Sequence, residues 1–193
     1  MYRNCKDKRG FTATELVVVM AIISVLTAFA IPHFIGMQPT MRVNSASRDL
    51  TSEMQLAKMK AVSQRNNYVI TFDTTNNQYK IYDDNDNDFA TAGAESGELK
   101  KTVDIDSSYT GIQFGYVSGQ TGTGGSTIST SVTFSGTPPS VTFYPDGTAN
   151  KLGSVYMIPT QDISTSKTIS QRAITVLLTG RVRLYKYNGS SWN

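Results

Sequence analysis

Hydrophobic positions along the chain change period twice. From Phe11 to Ile31, 21 residues, the only ionisable side chain is Glu15. From Leu16 to Ile31 only Ser24 and Thr27 interrupt the apolar run. A segment apolar on every face suits lipid better than a soluble core, and as a helix it would extend roughly 31 Å, about the hydrocarbon thickness of a bilayer. Pro32, Gly36 and Pro39 follow, where a kink or local melting is expected. A helical period then returns. Val43, Ala46, Leu50, Met54, Ala57 and Ala61 recur at spacings of three and four. Arg42, Arg48, Asp49, Glu53, Lys58 and Lys60 lie mostly off that stripe, which predicts a helix packed on the chain's own sheet and ending near Arg65-Asn66-Asn67.

Beyond this point the pattern turns to short runs rich in β-branched and aromatic residues between turn residues. Strands are expected at Tyr68–Phe72, Tyr79–Tyr82, Leu99–Ile105, Ile112–Val117, Ser131–Phe134 and Val141–Tyr144, and then at Gly153–Ile158, Ile174–Leu178 and Val182–Tyr187. Asp146-Gly147 signals a turn, and Gly119–Ser126 reads as a loop too glycine-rich to order itself. One long N-terminal helix before an all-β remainder is an α+β class.

Charge changes the picture at the N-terminus. Of 18 basic and 15 acidic side chains, Arg3, Lys6, Lys8, Arg9 and Asp7 lie in the first ten residues, leaving 14 of each sign in the rest. The whole net charge of +3 therefore belongs to residues 1–10. Basic residues ahead of a span predict a cytoplasmic N-terminus. The only cysteine, Cys5, and the only histidine, His33, exclude an internal disulfide and a multi-histidine metal site.

Three readings fit the apolar segment. One is a plain anchor. Another is a secretory signal peptide, for which Ala28-Phe29-Ala30 provides an A-x-A site with cleavage before Ile31. Neither explains Glu15, because a carboxylate at mid-span costs roughly 2.5–3.5 kcal/mol on insertion scales. The third starts from Gly10-Phe11-Thr12-x-x-Glu15-Leu16, which follows a basic leader and precedes the apolar run. This resembles the cleavage signal of type IV prepilins. The resemblance implies that a prepilin peptidase cuts between Gly10 and Phe11 and that Phe11 is N-methylated. Glu15 and Pro32 then become assembly residues, with Glu15 pairing the new amine of its own or a neighbouring subunit. Ala21, Ala28 and Ala30 would let helices pack closely.

The C-terminal third, with Val141–Gly147 (VTFYPDG), Ser154–Ile158 and Ile174–Leu184 (ITVLLTGRVRL), resembles the GspH/FimT family of minor pseudopilins and minor pilins. The resemblance implies a type IV pilin fold with a leader at 1–10, an assembly helix at 11–31, a kinked amphipathic helix at 32–66 and a β-rich head at 67–193. It implies a structural subunit that initiates or caps a type IV pilus or type II secretion pseudopilus. Its partners would be other pilins or pseudopilins, the prepilin peptidase/N-methyltransferase and the inner-membrane assembly platform. Its place would be the bacterial inner membrane with the head periplasmic, and then the filament. The same signal and fold serve both machines, and in the secretion system the head would contact exoproteins.

Two clusters in the head carry other chemistry. Gly180-Arg181-Val182-Arg183 resembles a motif of family members that bind DNA during uptake. Arg181 and Arg183 would share one strand face, with Lys186 on the other. Arg172 and Lys167 add charge, and no acid occurs from Ile163 to Asn193. Tyr185, Tyr187 and Trp192 are candidates for base stacking. Against this stand a net-neutral mature chain and the usual role of edge arginines as solvated, protective charges. Asp84, Asp86 and Asp88, with Glu95 where a calcium loop places its bidentate carboxylate, form a candidate Ca²⁺ loop. Phe89, however, stands where such a loop needs glycine. No cofactor is required by this reading. No nucleophile elbow, phosphate loop or histidine pair is present, so an enzyme is not expected.

Overall fold

A computed structural model describes residues 10–89 and 97–193 of the 193-residue chain. The described chain forms two compact units, one ending at Gln38 and the other Pro39–Asn193. Helix α1, Ala13–Gln64, contributes to both. It is helical without interruption across Pro32, Gly36 and Pro39, so the local melting expected there does not occur. The side chains of Pro32 and His33 lie outside the description. Helix α1 ends where Arg65 adopts a left-handed φ of 62°, beside the Asn-Asn pair that marks its end in the sequence.

The strands of the head are β1 (Asn67–Asp73), β2 (Gln78–Asp84), β3 (Leu99–Asp104), β4 (Ile112–Phe114), β5 (Ser140–Phe143), β6 (Gly153–Pro159), β7 (Arg172–Val176) and β8 (Val182–Lys186). Two short helices, α2 (Ile105–Ser108) and α3 (Thr160–Ser164), follow β3 and β6. Among the described residues all strand pairs are antiparallel, in two four-stranded sheets ordered β3-β2-β1-β5 and β4-β6-β7-β8. Ser131–Phe134 makes only an isolated bridge, Val132 to Val155. Asp73 starts the β1–β2 turn because its carboxylate accepts the N–H groups of Thr75 and Asn76.

Every residue of the predicted α1 stripe is buried: Val43, Ala46, Leu50, Met54, Ala57 and Ala61. They share one core with inward residues of both sheets, including Tyr68, Ile70 and Phe72 of β1 and Ile174 and Val176 of β7. The period-two alternation sends Tyr156 and Ala173 to the opposite face of the second sheet. There Ile128, Tyr116, Tyr185 and Trp192 cover them. With both faces covered, β6 and β7 are buried along their whole length.

The covering layer contains Gly119–Ser126, and this segment is ordered, contrary to expectation. Backbone bonds within it and side-chain contacts outside it organise it together. Thr121 bridges Thr127, and the Gly122 N–H donates to the Ser126 carbonyl at 2.8 Å. The Thr123 hydroxyl meets those of Ser154 and Thr175 at 2.9 and 3.1 Å. Trp192 Nε1 donates to the Thr121 carbonyl at 2.8 Å.

Candidate assembly segment and head surfaces

The candidate processing site is open. Phe11 is 89% exposed, and among the described residues beyond its chain neighbour no atom lies within 4 Å of where a Cβ on Gly10 would stand. One residue further, Thr12 begins α1 with a reciprocal cap. The Thr12 N–H and hydroxyl both donate to Glu15 Oε2 at 2.8 Å, and the Glu15 N–H donates back to Thr12 Oγ1 at 3.3 Å. This is the capping box of a Thr-x-x-Glu sequence. Glu15 thus sits on the positive end of the helix dipole, where its charge is favoured. Its carboxylate already bonds the amide adjoining Phe11, close to the nitrogen that cleavage after Gly10 would free. Within the Gly10-Phe11-Thr12-x-x-Glu15 signal, the capping role of Thr12 is carried by its spacing to Glu15.

The remaining polar groups of the apolar segment are internally satisfied. Ser24 Oγ donates to the Met20 carbonyl at 2.7 Å, and Thr27 Oγ1 to the Ile23 carbonyl at 2.6 Å. Ala13–Ile31 is long and apolar enough to cross a membrane, and none of it is buried within the chain. Large side chains such as Leu16, Val17, Ile22, Leu26 and Phe29 are exposed. Burying a side chain of this kind is worth about 1.5–3 kcal/mol, so the segment needs lipid or neighbouring helices around it.

The four residues of the candidate DNA surface separate. Arg181 and Arg183 are exposed, on the same side of the last strand as Tyr185, and Arg183 Nη1 lies 3.4 Å from the Tyr185 hydroxyl. Lys186 is exposed on the alternate face, as its position requires. Arg172 does not belong to this surface. It points inward with Ile174 and Val176 and is buried. Its Nε donates to Asn44 Oδ1 at 2.7 Å, and Nη1 donates to the carbonyls of Ile169 and Gln171 at 3.2 and 2.7 Å. Its Nη2 has no hydrogen-bond partner among the described residues. Burial lowers its guanidinium pKa. Arg172 is a tie between β7 and α1 and cannot reach a phosphate in solution.

Gly180 of the Gly-Arg-Val-Arg motif is held by geometry. Its φ is +68°, and a Cβ there would lie 2.0 Å from the Gly147 carbonyl oxygen. The turn at Asp146-Gly147 and the turn into β8 therefore press backbone on backbone. The Ala149 N–H donates to the Leu178 carbonyl at 2.9 Å, and Gly180 N–H to Leu177 at 2.8 Å. Lys58 and Val62 of α1 adjoin Gly147 at 3.6 Å from its notional Cβ.

In the acidic loop, ligand atoms of Asp84, Asp86 and Asp88 lie within 4.8 Å of one another. Asp84 is buried. Its Oδ1 accepts the N–H groups of Asp88 and Phe89 at 2.9 and 3.3 Å, and its Oδ2 accepts Asn67 Nδ2 at 3.3 Å. These bonds give Asp84 a turn-closing role. Glu95 lies outside the described residues. A polar groove of about 510 Å³ runs beside α1, lined in part by Asp49, Glu53, Tyr79, Lys101 and Tyr109. Lys101 pairs with Glu53, and the Tyr109 hydroxyl donates to Asp49.

Two family models match. One, described as type II transport protein GspH, covers residues 46–180, and the prokaryotic N-terminal methylation motif covers residues 5–31. A stretch of 60 residues is 38% identical to the type IV major pilin protein PilA of Myxococcus xanthus (strain DK1622), over 31% of this chain and 27% of that protein. The chain thus spans about a quarter of the length of that relative. Among solved structures, the chain is similar to the minor pseudopilin EpsH of the type 2 secretion system of Vibrio cholerae. That similarity has 10% identity and a TM-score of 0.46, over 74% of this chain and 95% of the other. The type IV minor pilin FimU of Pseudomonas aeruginosa gives 16% identity and a TM-score of 0.48, over 78% of this chain and 96% of the other.

Proposed function

The chain belongs to the family of the type II transport protein GspH and carries the N-terminal methylation motif of pilins, and from that premise we propose that it is a minor subunit that initiates or caps a type IV pilus or a type II secretion pseudopilus. The observation that carries this reading is the segment Ala13–Ile31, which is apolar on every side and has none of its surface buried within the chain. Such a surface serves first as a membrane anchor and then as a filament core. A prepilin peptidase cleaves the exposed Gly10–Phe11 bond on the cytoplasmic side. The head stands on the far side of the bacterial inner membrane, and the assembly platform and other pilins are its partners. The freed Phe11 amine joins Thr12 as a donor to Glu15, or Glu15 pairs with the amine of a neighbouring subunit. The chain acts as a structural part and not as an enzyme.

The test is made in the native host. Removing the gene should lower the number of filaments without abolishing the major subunit, and mass spectrometry of purified filaments should find this chain at far below one copy per major subunit. A stoichiometry near one would overturn the minor role. A second reading, a filament-borne DNA receptor, is supported by Arg181 and Arg183 lying exposed on one face beside Tyr185. A salt-sensitive gel shift abolished by Arg181→Gln/Arg183→Gln would establish it, and no shift at about 50 mM salt would end it.

A further inference from the structure

Among the described residues, the sheet order β4-β6-β7-β8 leaves one side of β8 without a strand. Backbone groups along an antiparallel strand alternate between its two sides. The Leu177 N–H donates to the Arg181 carbonyl at 3.0 Å and the Tyr187 N–H to the Gln171 carbonyl at 3.2 Å. Residues 181, 183, 185 and 187 therefore direct their backbone groups to β7, and residues 182, 184 and 186 direct theirs outward. Lys186 confirms this phase. Its N–H donates to the Asn193 carbonyl at 2.8 Å and its carbonyl accepts the Asn193 N–H at 2.9 Å. Asn193 thus already adds one antiparallel position to this edge. At the next two positions, no described residue bonds the outward backbone groups of Val182 and Leu184.

The side chains around those groups have a definite character. Val182 and Leu184 lean onto the core, while Arg181 and Arg183 stand exposed on the other face. The ion pairs among the described residues are Lys100–Asp83 and Lys101–Glu53, and neither involves these arginines. A strand added here would have its hydrogen-bonded pairs opposite Val182 and Leu184. Its residues opposite Arg181 and Arg183 would be the non-hydrogen-bonded pairs, in which side chains approach most closely.

We propose that the outer edge of β8 docks an extended acidic segment of a partner protein, which adds as a fifth antiparallel strand. The open backbone groups give affinity, and two carboxylates placed two residues apart opposite Arg181 and Arg183 give specificity. This surface is independent of the filament role and would stand or fall without it.

The test uses the full chain in detergent micelles and a fluorescent acetyl-Val-Glu-Val-Glu-Thr peptide amide, whose valines fall opposite Leu184 and Val182 and whose glutamates fall opposite Arg183 and Arg181. Anisotropy should show saturable binding at low salt. Methylating the backbone nitrogens of both peptide valines, which leaves its charge intact, should weaken binding at least about tenfold. Arg181→Gln/Arg183→Gln should weaken it by a similar factor while leaving the melting temperature unchanged. Hydrogen exchange should slow at the Val182 and Leu184 amides when peptide is bound. Four results would overturn the proposal. These are no binding at about 1 mM peptide, equal binding of the N-methylated peptide, and displacement by oligodeoxythymidine without slowed exchange at Val182 and Leu184. The last is peptide displaced by unlabelled chain added in excess, which would make the occupant a second copy.

Discussion

Replacing Gly180 by alanine separates a structural from a ligand-binding role for the Gly-Arg-Val-Arg segment. At a φ of +68°, a residue with a side chain carries a conformational penalty of about 1–2 kcal/mol. The new methyl would also lie 2.0 Å from the carbonyl oxygen of Gly147. That oxygen belongs to backbone, so a turn must move rather than a side-chain tip. Separating the turns strains the bonds from Ala149 to Leu178 and from Gly180 to Leu177, worth about 0.5–1.5 kcal/mol each. Together these give about 2–5 kcal/mol. For a head of this size, about 2–4 °C per kcal/mol predicts a fall in melting temperature of about 10 °C. Gly147→Ala is the matched control. Its φ is +81°, but its Cβ would meet only Lys58 and Val62, both at an ordinary 3.6 Å. It should lose only the conformational penalty, about 3–6 °C. Thermal unfolding of the full chain in detergent, followed by near-ultraviolet circular dichroism, compares the two. A Gly180→Ala melting temperature equal to or above that of Gly147→Ala would refute the clamp.

Glu15→Gln keeps an acceptor for Thr12 but removes the charge. N-terminal sequencing should still find Phe11, while incorporation into filaments should fall severalfold; full incorporation would show that charge pairing is not needed. Arg172→Gln should destabilise the head by about 2–4 kcal/mol in denaturant titrations, because Asn44 and two carbonyls lose a charged donor. The same variant should leave any oligonucleotide binding unchanged, and a weakened gel shift with an unaltered unfolding midpoint would contradict its burial. Tyr109 has its pKa raised to about 12, first by burial and then by the Asp49 carboxylate that accepts its hydroxyl. Because the folded value lies above the unfolded one, this stability is complete below about pH 10 and is lost as pH rises toward 12. Ultraviolet titration of Asp49→Asn should move one tyrosine midpoint down toward 10, and an unmoved profile would count against the Asp49 contact.

Features governed by neighbours in sequence were legible before the fold was known. The Gly10-Phe11-x-x-x-Glu15 signal, the apolar span and the α1 stripe all depend on residues within a few turns of each other. The strands were found for the same reason, since a period of two needs only five or six residues to appear. Ser131–Phe134 failed because pairing depends on the partner strand as well as on propensity. The Thr12–Glu15 cap was also local and could have been read from its spacing.

What tertiary structure decided lies far apart in the chain. Arg172 looked like part of a basic surface until its strand phase and the contact with Asn44, 128 residues away, placed it inside. Gly119–Ser126 looked unable to order itself, and is ordered by Ser154, Thr175 and Trp192. Gly180 gained its role only from the backbone of Gly147. The sequence alone determined which segment is long and apolar enough to cross a membrane and where the chain's helix and most of its strands run, because periodicity is a local property. Which polar residues are buried, which glycines are confined and which sheet edge stays open were settled by packing between distant segments, because burial belongs to both surfaces that meet.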